Sequence, residues 1–441
     1  MKKQLLFSLL ILALIWGACK KNDANVPGIK PVDFKVNLSF GLDSSKYKLP
    51  LQNISVSVKN TATGSTIVTK SGSDGVVNFT SLPVGTYDID ATLKMGAAEY
   101  YSLTGVASDD SVTFNASEKN HVIASQSDSI RLQLVTGVIG EWVIKQVYFA
   151  GSHRTDGALY RDQFIEIYNN SASVLYADSL YIGQLKGKGT LANVHQLTNG
   201  AFDWSKSVGM PQNIDANNDY VYTRSLLRIP GSGKTYPVQP GQSIIIAQTA
   251  INHKSPFTGL DGNVISVRNP ALTVDLSGAE FEAYYAPFAS RPLASDIDNP
   301  NSTNVDVLQF YGTDWIIDNN GRDSYIIFKA DASQKVEEWP SYNEPLLATP
   351  SSSAIKFKQI PTRYIIDAVE VMENIPQDRL PKKLGATLDA GFTFVPLGAY
   401  TSQSIIRKTE KTIDGRIKLK DTNNSTEDFT YLDVANPKGF K

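Results

Sequence analysis

The stretch DQFIEIYNNSASVLYADSLYI, residues 162–182, decides how the larger part of this chain folds. Its first half alternates, so that Ile165 and Ile167 lie on one face of a strand and the residues beside them lie on the other. The Asn-Asn-Ser run at 169–171 supplies turn residues, and the Leu-Tyr-Ile run at 180–182 begins a second strand. The stretch therefore predicts two consecutive strands joined by a turn.

The composition indicates a folded β-protein with more than one domain. The chain has 441 residues, a length that predicts two or three domains. It is 41% hydrophobic, and its 20 tyrosines, 31 glycines and 21 prolines are typical of strands and turns. The net charge of -2 gives no electrostatic reason for a nucleic acid partner, and we expect none.

The N-terminus has the features of a lipoprotein signal. Residues 1–18 combine a Met-Lys-Lys start with a short apolar core and small residues, and are predicted to be a signal peptide. Cys19, the single cysteine of the chain, is the predicted lipidation site; the alternative is an ordinary signal peptide with an incidental cysteine. Residues 19–32 are polar and are predicted to be a flexible tether. The CKKND start resembles outer-membrane lipoproteins of Bacteroidetes-type bacteria, which implies a lipid anchor in the outer membrane, with the cell surface favoured over the periplasmic face.

Residues 33–137 are predicted to form a first β-sandwich. Short alternating runs are separated by turn residues such as Asp74-Gly75. The segment around this turn, with the LPVGTY run at 82–87, resembles sandwiches of the carboxypeptidase-regulatory or transthyretin-like type. That resemblance implies a spacer or docking module.

Residues 138–441 are predicted to form a second, larger sandwich. The FIEIYN and DSLYI runs resemble the opening of a lamin-tail, immunoglobulin-like domain, and the PGQSIIIA run at 240–247 matches its next landmark. The SIIR run at 404–407 and the Asp-Phe pair at 428–429 resemble its closing pattern. Long insertions, at 184–236 and 251–400, must separate these blocks. The fold class is therefore all-β, with two sandwiches in tandem.

The long form of the second sandwich resembles a Bacteroidetes lipoprotein family known as domain of unknown function 4876, or DUF4876. The resemblance is carried by the AINH run at 250–253, the DLSGAEFEAYY run at 275–285 and the IPGSGK turn. Members of that family accompany TonB-dependent outer-membrane receptors, some of them linked to iron acquisition. The resemblance thus implies a TonB-dependent receptor as partner, with iron or iron-chelate uptake as one role.

The sequence offers few groups for catalysis or metal binding. The four histidines have no ligand at zinc spacing, and no G-x-S-x-G elbow is present. The acids of Glu280-Phe281-Glu282 are expected to be exposed, and the DANND run at 215–219 is expected to form Asx turns because it lacks the glycine and glutamate of a calcium loop. We therefore predict no catalytic residue, no metal site and no cofactor.

The GSGKT run at 231–235 has the closing letters of a nucleotide-binding loop. Arg228 stands where such a loop needs its first glycine, and the prolines at 237 and 240 prevent the helix that should follow. We expect a glycine-rich turn and no nucleotide. If Lys234 acts beyond solvation, the sequence favours contact with a partner or an anionic ligand.

Aromatic side chains in the insertions are the best candidates for recognition: Trp204, Tyr284, Tyr285 and Trp339. Core packing is the alternative for each of them. The leading hypothesis is a non-enzymatic outer-membrane lipoprotein that binds a ligand or a receptor. One alternative is a secreted hydrolase of glycans or peptides, which would need two carboxylates facing each other across a cleft. The other is a structural protein of the adhesin type.

Overall fold

The computed structural model describes residues 31–40, 48–104, 111–124, 128–136, 142–330, 333–413 and 415–441. The predicted signal peptide, Cys19 and nearly all of the predicted tether lie outside these residues. Within them the chain is all-β, with two β-sandwiches in tandem, as the sequence predicts.

The first sandwich has seven strands among the described residues, in the order β3-β2-β5-β6-β7-β1-β4. Its β1 is antiparallel to β4 and parallel to β7, and the alternating side chains of β1, such as Phe34 and Val36, face the core. The elements are β1 (Val32–Phe40), β2 (Ser55–Asn60), β3 (Thr66–Lys70), β4 (Val76–Leu82), β5 (Gly85–Met95), α1 (Ala97–Thr104), β6 (Val112–Ile123) and β7 (Asp128–Thr136).

The second sandwich packs two larger sheets face to face. One sheet has the order β21-β22-β12-β11-β20-β23, with β19 also paired to β12, and the other has the order β18-β17-β14-β9-β8-β24-β27. The strands are β8 (Trp142–Tyr148), β9 (Phe164–Asn169), β10 (Leu175–Tyr176), β11 (Tyr181–Leu185), β12 (Tyr220–Arg228), β13 (Pro237–Val238), β14 (Ser243–Ala247), β15 (Phe257–Thr258), β16 (Val264–Ile265), β17 (Phe281–Glu282), β18 (Thr303–Asn304), β19 (Asp306–Gln309), β20 (Ser324–Phe328), β21 (Ser341–Tyr342), β22 (Phe357–Pro361), β23 (Ile365–Glu370), β24 (Ser404–Arg407), β25 (Thr409–Ile413), β26 (Arg416–Leu419) and β27 (Phe429–Leu432). The helical segments are α2 (Ser425–Asp428) and short 3-10 turns at Trp204–Lys206, Pro270–Leu272, Val336–Glu338, Thr362–Tyr364 and Pro376–Asp378.

The alternation predicted for β9 is present, but both of its faces are buried. Ile165 and Ile167 point into the main core between the two sheets. On the opposite face, Phe164 packs in a cluster with side chains of the insertion at 250–279, and Tyr168 packs against Leu419 of the C-terminal hairpin. The insertion and the C-terminal hairpin together therefore cover a sheet face that a plain sandwich leaves in water.

Glu166 lies on that covered face and is fully buried with Lys145. Their Nζ and Oε1 atoms are 2.9 Å apart. Burial lowers the pKa of Lys145, and the charge of Glu166 opposes that effect. Gln146 and Ser243 also donate to the Glu166 carboxylate. Because a charge buried away from water needs a partner of opposite charge, Lys145 and Glu166 stabilise each other in this position.

The closing blocks of the pattern meet at Arg407, which is 1% exposed. Its Nη2 donates to Asp367 at 2.6 Å. Its Nη1 donates to Asp421 at 3.1 Å and lies 3.5 Å from Asp428. Burial disfavours the charge on Arg407, but the three carboxylates together raise its pKa. The guanidinium also stacks on Phe429, 4.6 Å from the ring centroid. Both residues of the Asp-Phe pair at 428–429 therefore interact with Arg407.

One predicted strand is absent. The sequence suggests a hairpin between the Trp-Ile-Ile run at 315–317 and the run at 325–328, but among the described residues only the second run is a strand, β20. The first run lies in irregular structure, where Ile317 exchanges backbone hydrogen bonds with the side chain of Gln163. The sheet neighbours of β20 are instead β11 and β23, which are distant in sequence.

Candidate functional site

Two loops of the second sandwich present an aromatic surface. Phe288 follows β17, and Phe310 and Tyr311 follow β19; the three side chains are 46%, 43% and 37% exposed. The ring centroids of Phe288 and Phe310 are 6.2 Å apart, and the guanidinium of Arg224 lies 4.9 Å from the ring centroid of Tyr311. We call Phe288, Phe310 and Tyr311 the aromatic patch. Exposed aromatic groups next to an arginine are typical of protein interfaces.

The aromatic patch is supported from below by Tyr285, which is completely buried. Its ring packs edge-on against Phe310 at a centroid distance of 6.3 Å. The N–H groups of Phe288 and Ala289 donate to the carbonyl of Tyr285 at 2.9 and 3.2 Å, which closes a turn. The patch is therefore held by a buried aromatic anchor and a hydrogen-bonded loop, as a pre-organised binding surface requires.

Two buried acids lie in the same loops. Asp314 is 1% exposed; its Oδ2 accepts from Nε2 of Gln248 at 2.5 Å and its Oδ1 accepts from the backbone N–H of Trp315 at 2.6 Å. Asp296 is fully buried. Burial first, and then the charge of Asp314, raise the pKa of Asp296, while burial raises the pKa of Asp314. Both acids are closed off from solvent.

Glu282 adds a third buried acid and corrects a prediction. The sequence predicts that this side chain is exposed, but it is fully buried on β17. Its Oε1 accepts from the N–H of Ala250 at 2.6 Å, and its Oε2 accepts from the N–H of Asn299 at 2.8 Å. The carboxylate ties two inserted loops to the sheet, a role that depends on contacts remote in sequence.

The glycine-rich run at 231–235 closes around an internal acid. Asp178 is 2% exposed, and its carboxylate accepts from the N–H groups of Gly233 at 2.9 Å, Thr235 at 2.8 Å and Tyr236 at 2.9 Å. Burial opposes the charge, but these donors lower the pKa of Asp178 to about 2. The amides that would bind a phosphate in a nucleotide loop are thus occupied by a side chain of the same domain. Lys234 is exposed at the tip of this turn.

The four aromatic candidates from the sequence lie in different places. Trp204 is 8% exposed and stacks on Tyr222 at a centroid distance of 3.7 Å in a core cluster. Tyr285 is buried below the aromatic patch, and Tyr284 beside it is partly exposed. Trp339 is partly exposed and packs against a core cluster on the other sheet. Core packing, the alternative weighed above, therefore describes Trp204 and Tyr285.

Trp339 belongs to a separate aromatic stack. Its ring lies 6.0 Å from that of Phe328 and 5.4 Å from that of Tyr364, with interplanar angles of 19° in both cases. The guanidinium of Arg363 is placed 4.7 Å from the Tyr364 ring centroid. The indole thus packs on two neighbouring rings and a core cluster, and its Nε1 donates to Gln334 at 3.4 Å.

Sequence reasoning missed the residues that make the site distinctive: Asp296, Asp314, Gln248, Phe310 and Tyr311. No spacing relates them, because they lie on three loops and meet only when β14, β17 and β19 are in place. The one usable signal in the sequence is that aromatic residues concentrate in the insertions, which points to Tyr284 and Tyr285.

Two further observations concern metal-binding groups and membrane-spanning helices. In the part of the chain that the structure describes, no three His, Cys, Asp or Glu side chains form a group that could hold a metal ion. The same residues contain no helix long and apolar enough to cross a membrane. The DANND run forms Asx turns as predicted, with Asp215 accepting from the N–H groups of Asn217 and Asn218 at 3.2 and 3.1 Å.

The family model described as a protein of unknown function, DUF4876, matches residues 239–436. A DUF4876 family protein from Bacteroides thetaiotaomicron VPI-5482 has a similar crystal structure, with 24% sequence identity and a TM-score of 0.50. The similarity covers 91% of this chain and 95% of that chain. At this identity the likeness shows the fold alone.

Other solved structures are much less similar. A protein from Bacteroides ovatus ATCC 8483 proposed to be an adhesin is 7% identical, with a TM-score of 0.18 over 76% of this chain and 83% of that chain. Fervidolysin from Fervidobacterium pennivorans is 13% identical, with a TM-score of 0.18 over 46% of this chain and 25% of that chain. These scores carry no argument about function. No curated protein matches the chain.

Proposed function

We propose that this chain, whose residues 239–436 match the DUF4876 family model, is a lipid-anchored, non-enzymatic binding protein of the outer membrane. In this proposal Cys19 carries the lipid, the first sandwich is a spacer, and the second sandwich contacts a partner protein through its aromatic patch. The partner is a TonB-dependent receptor, with iron or iron-chelate uptake as one role of the pair.

The aromatic patch is the observation that carries the proposal. Phe288, Phe310 and Tyr311 expose between 37% and 46% of their surface on loops that a buried tyrosine and a buried acid, Glu282, hold to the sheet. Large aromatic groups lose little conformational entropy on binding, and each buries a large apolar area. A fixed aromatic surface of this kind supports association with a protein.

The acids of the described residues support binding over hydrolysis. A glycoside hydrolase needs two carboxylates on either side of a substrate cleft. Asp296 and Asp314 are near neighbours with raised pKa values, but they are 0% and 1% exposed. A substrate has no access to either side chain, so this pair does not provide the carboxylates of a hydrolase.

A photo-crosslinking experiment tests the aromatic patch. A photoreactive amino acid is placed at Phe310 of the full chain in its native host, and a second chain carries it at Tyr101, which is 57% exposed on the first sandwich. We expect position 310, and not position 101, to crosslink to an outer-membrane receptor of the TonB-dependent type. Crosslinking of that receptor equally from both positions, or from neither, would contradict the assignment.

A labelling experiment tests the anchor separately. Cells fed an alkyne-tagged fatty acid are expected to label the full chain and to leave Cys19→Ala unlabelled. The protein should partition into detergent with its lipid, and the variant should remain in the aqueous phase. Label on the variant, or none on the parent chain, would refute the lipid anchor while leaving the aromatic patch to be judged by crosslinking.

A further inference from the structure

Several buried oxygen atoms below the aromatic patch have no hydrogen-bond partner among the described residues. Both carboxylate oxygens of Asp296 are in this state, and so is the side-chain carbonyl oxygen Oε1 of Gln248. Both residues are completely buried. The N–H groups of Tyr285 and Ala286 are near enough to favour the charged form of Asp296, but neither reaches hydrogen-bond geometry with it.

Gln248 connects these atoms to Asp314. Its Nε2 donates to Asp314 Oδ2 at 2.5 Å, so the amide of Gln248 lies directly against the second acid. The hydroxyl of Thr249, next to Gln248, donates to the carbonyl of Ser295 at 3.4 Å, which brings Gln248 and Asp296 into the same buried region. Among the described residues, neither acid takes part in an ion pair with a lysine, arginine or histidine. The cluster is therefore rich in acceptors and short of positive charge.

Such an arrangement is costly without a further group. An ionised carboxylate that is buried without a partner strongly destabilises the folded state, even after the surrounding structure relaxes. A proton on Asp296 would remove one negative charge and could donate to the carbonyl oxygen of Gln248, but the second carboxylate oxygen of Asp296 would still have no donor. A cation binds all of these oxygen atoms together, including the neutral one.

We propose that Asp296, Asp314 and the carbonyl oxygen of Gln248 bind a hard divalent cation of the calcium type. Oxygen ligands of mixed charge are those that Ca²⁺ prefers, and two carboxylates balance its charge. Mg²⁺ fits less well, because it keeps several water molecules and these acids are 0% and 1% exposed. The cation joins the loop after β14 to the loops after β17 and β19, which carry the aromatic patch.

The described residues contain no group of three or more His, Cys, Asp or Glu side chains that could hold a metal ion. The proposed site uses two carboxylates and completes the coordination with neutral oxygens. Backbone carbonyls serve this purpose in many calcium sites, so a third acid is not required.

Calcium titration of the full chain after treatment with EDTA tests the site. We expect one Ca²⁺ per chain by calorimetry, with a dissociation constant on the order of 1 mM or lower, as for other extracellular calcium sites. Tb³⁺ in place of Ca²⁺ should show luminescence sensitised by Trp315, the residue next to Asp314. Absence of saturable Ca²⁺ binding to the parent chain would overturn the proposal without any variant.

Variants then locate the bound ion. Asp296→Asn and Asp314→Asn should each weaken Ca²⁺ binding by at least about tenfold and remove the calcium-dependent rise in unfolding temperature. Asp162→Asn is the matched control, because Asp162 is also fully buried with one oxygen lacking a partner, but lies in another cluster with Tyr148 and Thr273. The control should bind Ca²⁺ as the parent chain does.

Two results would contradict the assignment. Equal weakening by Asp162→Asn would show that the calcium response is not specific to this cluster. A chain that binds no Ca²⁺ and becomes more stable through Asp296→Asn would show that the acids share a proton instead. Since these measurements use no partner protein, they are independent of the proposed function.

Discussion

Replacing Asp178 by asparagine should destabilise the second sandwich, because this carboxylate holds the glycine-rich turn together. Three backbone N–H groups donate to it at 2.8 to 2.9 Å. The turn wraps so closely that a Cβ atom on Gly231, where φ is +124°, would collide with the Asp178 carboxylate. Asparagine keeps the shape of the side chain but removes its charge and exchanges one acceptor oxygen for a donor.

The size of the effect follows from the pKa of Asp178. A fall from 3.8 to about 2 corresponds to about 2 kcal/mol at 1.36 kcal/mol per pKa unit. The folded-state pKa is lower than that of the unfolded chain, so this stabilisation is complete above roughly pH 4 and is lost as the pH falls through about 2. The variant should therefore be less stable by about 2 kcal/mol at pH 7 and should approach the parent chain near pH 2.

Urea unfolding followed by tryptophan fluorescence measures this difference. The tryptophans of the described residues report on the second sandwich alone, since they are Trp142, Trp204, Trp315 and Trp339. Asp215→Asn is the matched control, because Asp215 also accepts backbone N–H groups but is exposed. The control should lose less than about 1 kcal/mol, as is usual at exposed positions.

Two outcomes would refute this reasoning. One is an Asp178→Asn chain that unfolds at the same urea concentration as the parent at pH 7. The other is a stability difference that stays constant between pH 7 and pH 2, which would mean that the loss comes from altered packing and not from the charge.

Further predictions concern other buried charges of the second sandwich. Burial lowers the pKa of His253 from 6.5 to about 4. The free energy of unfolding is therefore highest above pH 6.5, where the ring is neutral in both states, and it decreases as the pH falls from 6.5 to about 4. His253→Gln should remove about 3 kcal/mol of this pH dependence, measured by urea unfolding at stepped pH. Lys145→Met alone should lower the free energy of unfolding by about 3–5 kcal/mol, because it leaves Glu166 buried without its partner. Adding Glu166→Leu should restore much of that stability, which a double-mutant cycle measures. Arg407→Lys should lower the free energy of unfolding by roughly 3 kcal/mol, because a lysine cannot bind Asp367 and Asp421 at the same time as the two guanidinium nitrogens do. A urea midpoint of unfolding equal to that of the parent chain would show that this paired contact does not contribute to stability.

The sequence by itself determined the class of fold and the order of its parts. Alternation in the run at 162–182 predicts a strand, and β9 is one, because the two-residue period of a strand is set by local backbone geometry. The sequence also predicts a turn at the GSGKT run, because Arg228 replaces the first glycine of a nucleotide loop and the following prolines prevent a helix at the neighbouring residues. In each case the deciding interactions lie within a few residues.

Only the tertiary structure decided which polar groups became buried partners. Glu166 and Glu282 both lie on strands and are fully buried. The C-terminal segment covers Glu166, where the N–H of Lys438 donates to the carboxylate, whereas inserted loops cover Glu282, where Ala250 and Asn299 donate. Asp178 meets the glycine-rich turn, and Asp296 meets Asp314 and Gln248, across long separations in sequence. Burial and charge pairing depend on what packs against a strand, which no local pattern records; for this reason the architecture could be predicted from the sequence and the candidate site could not.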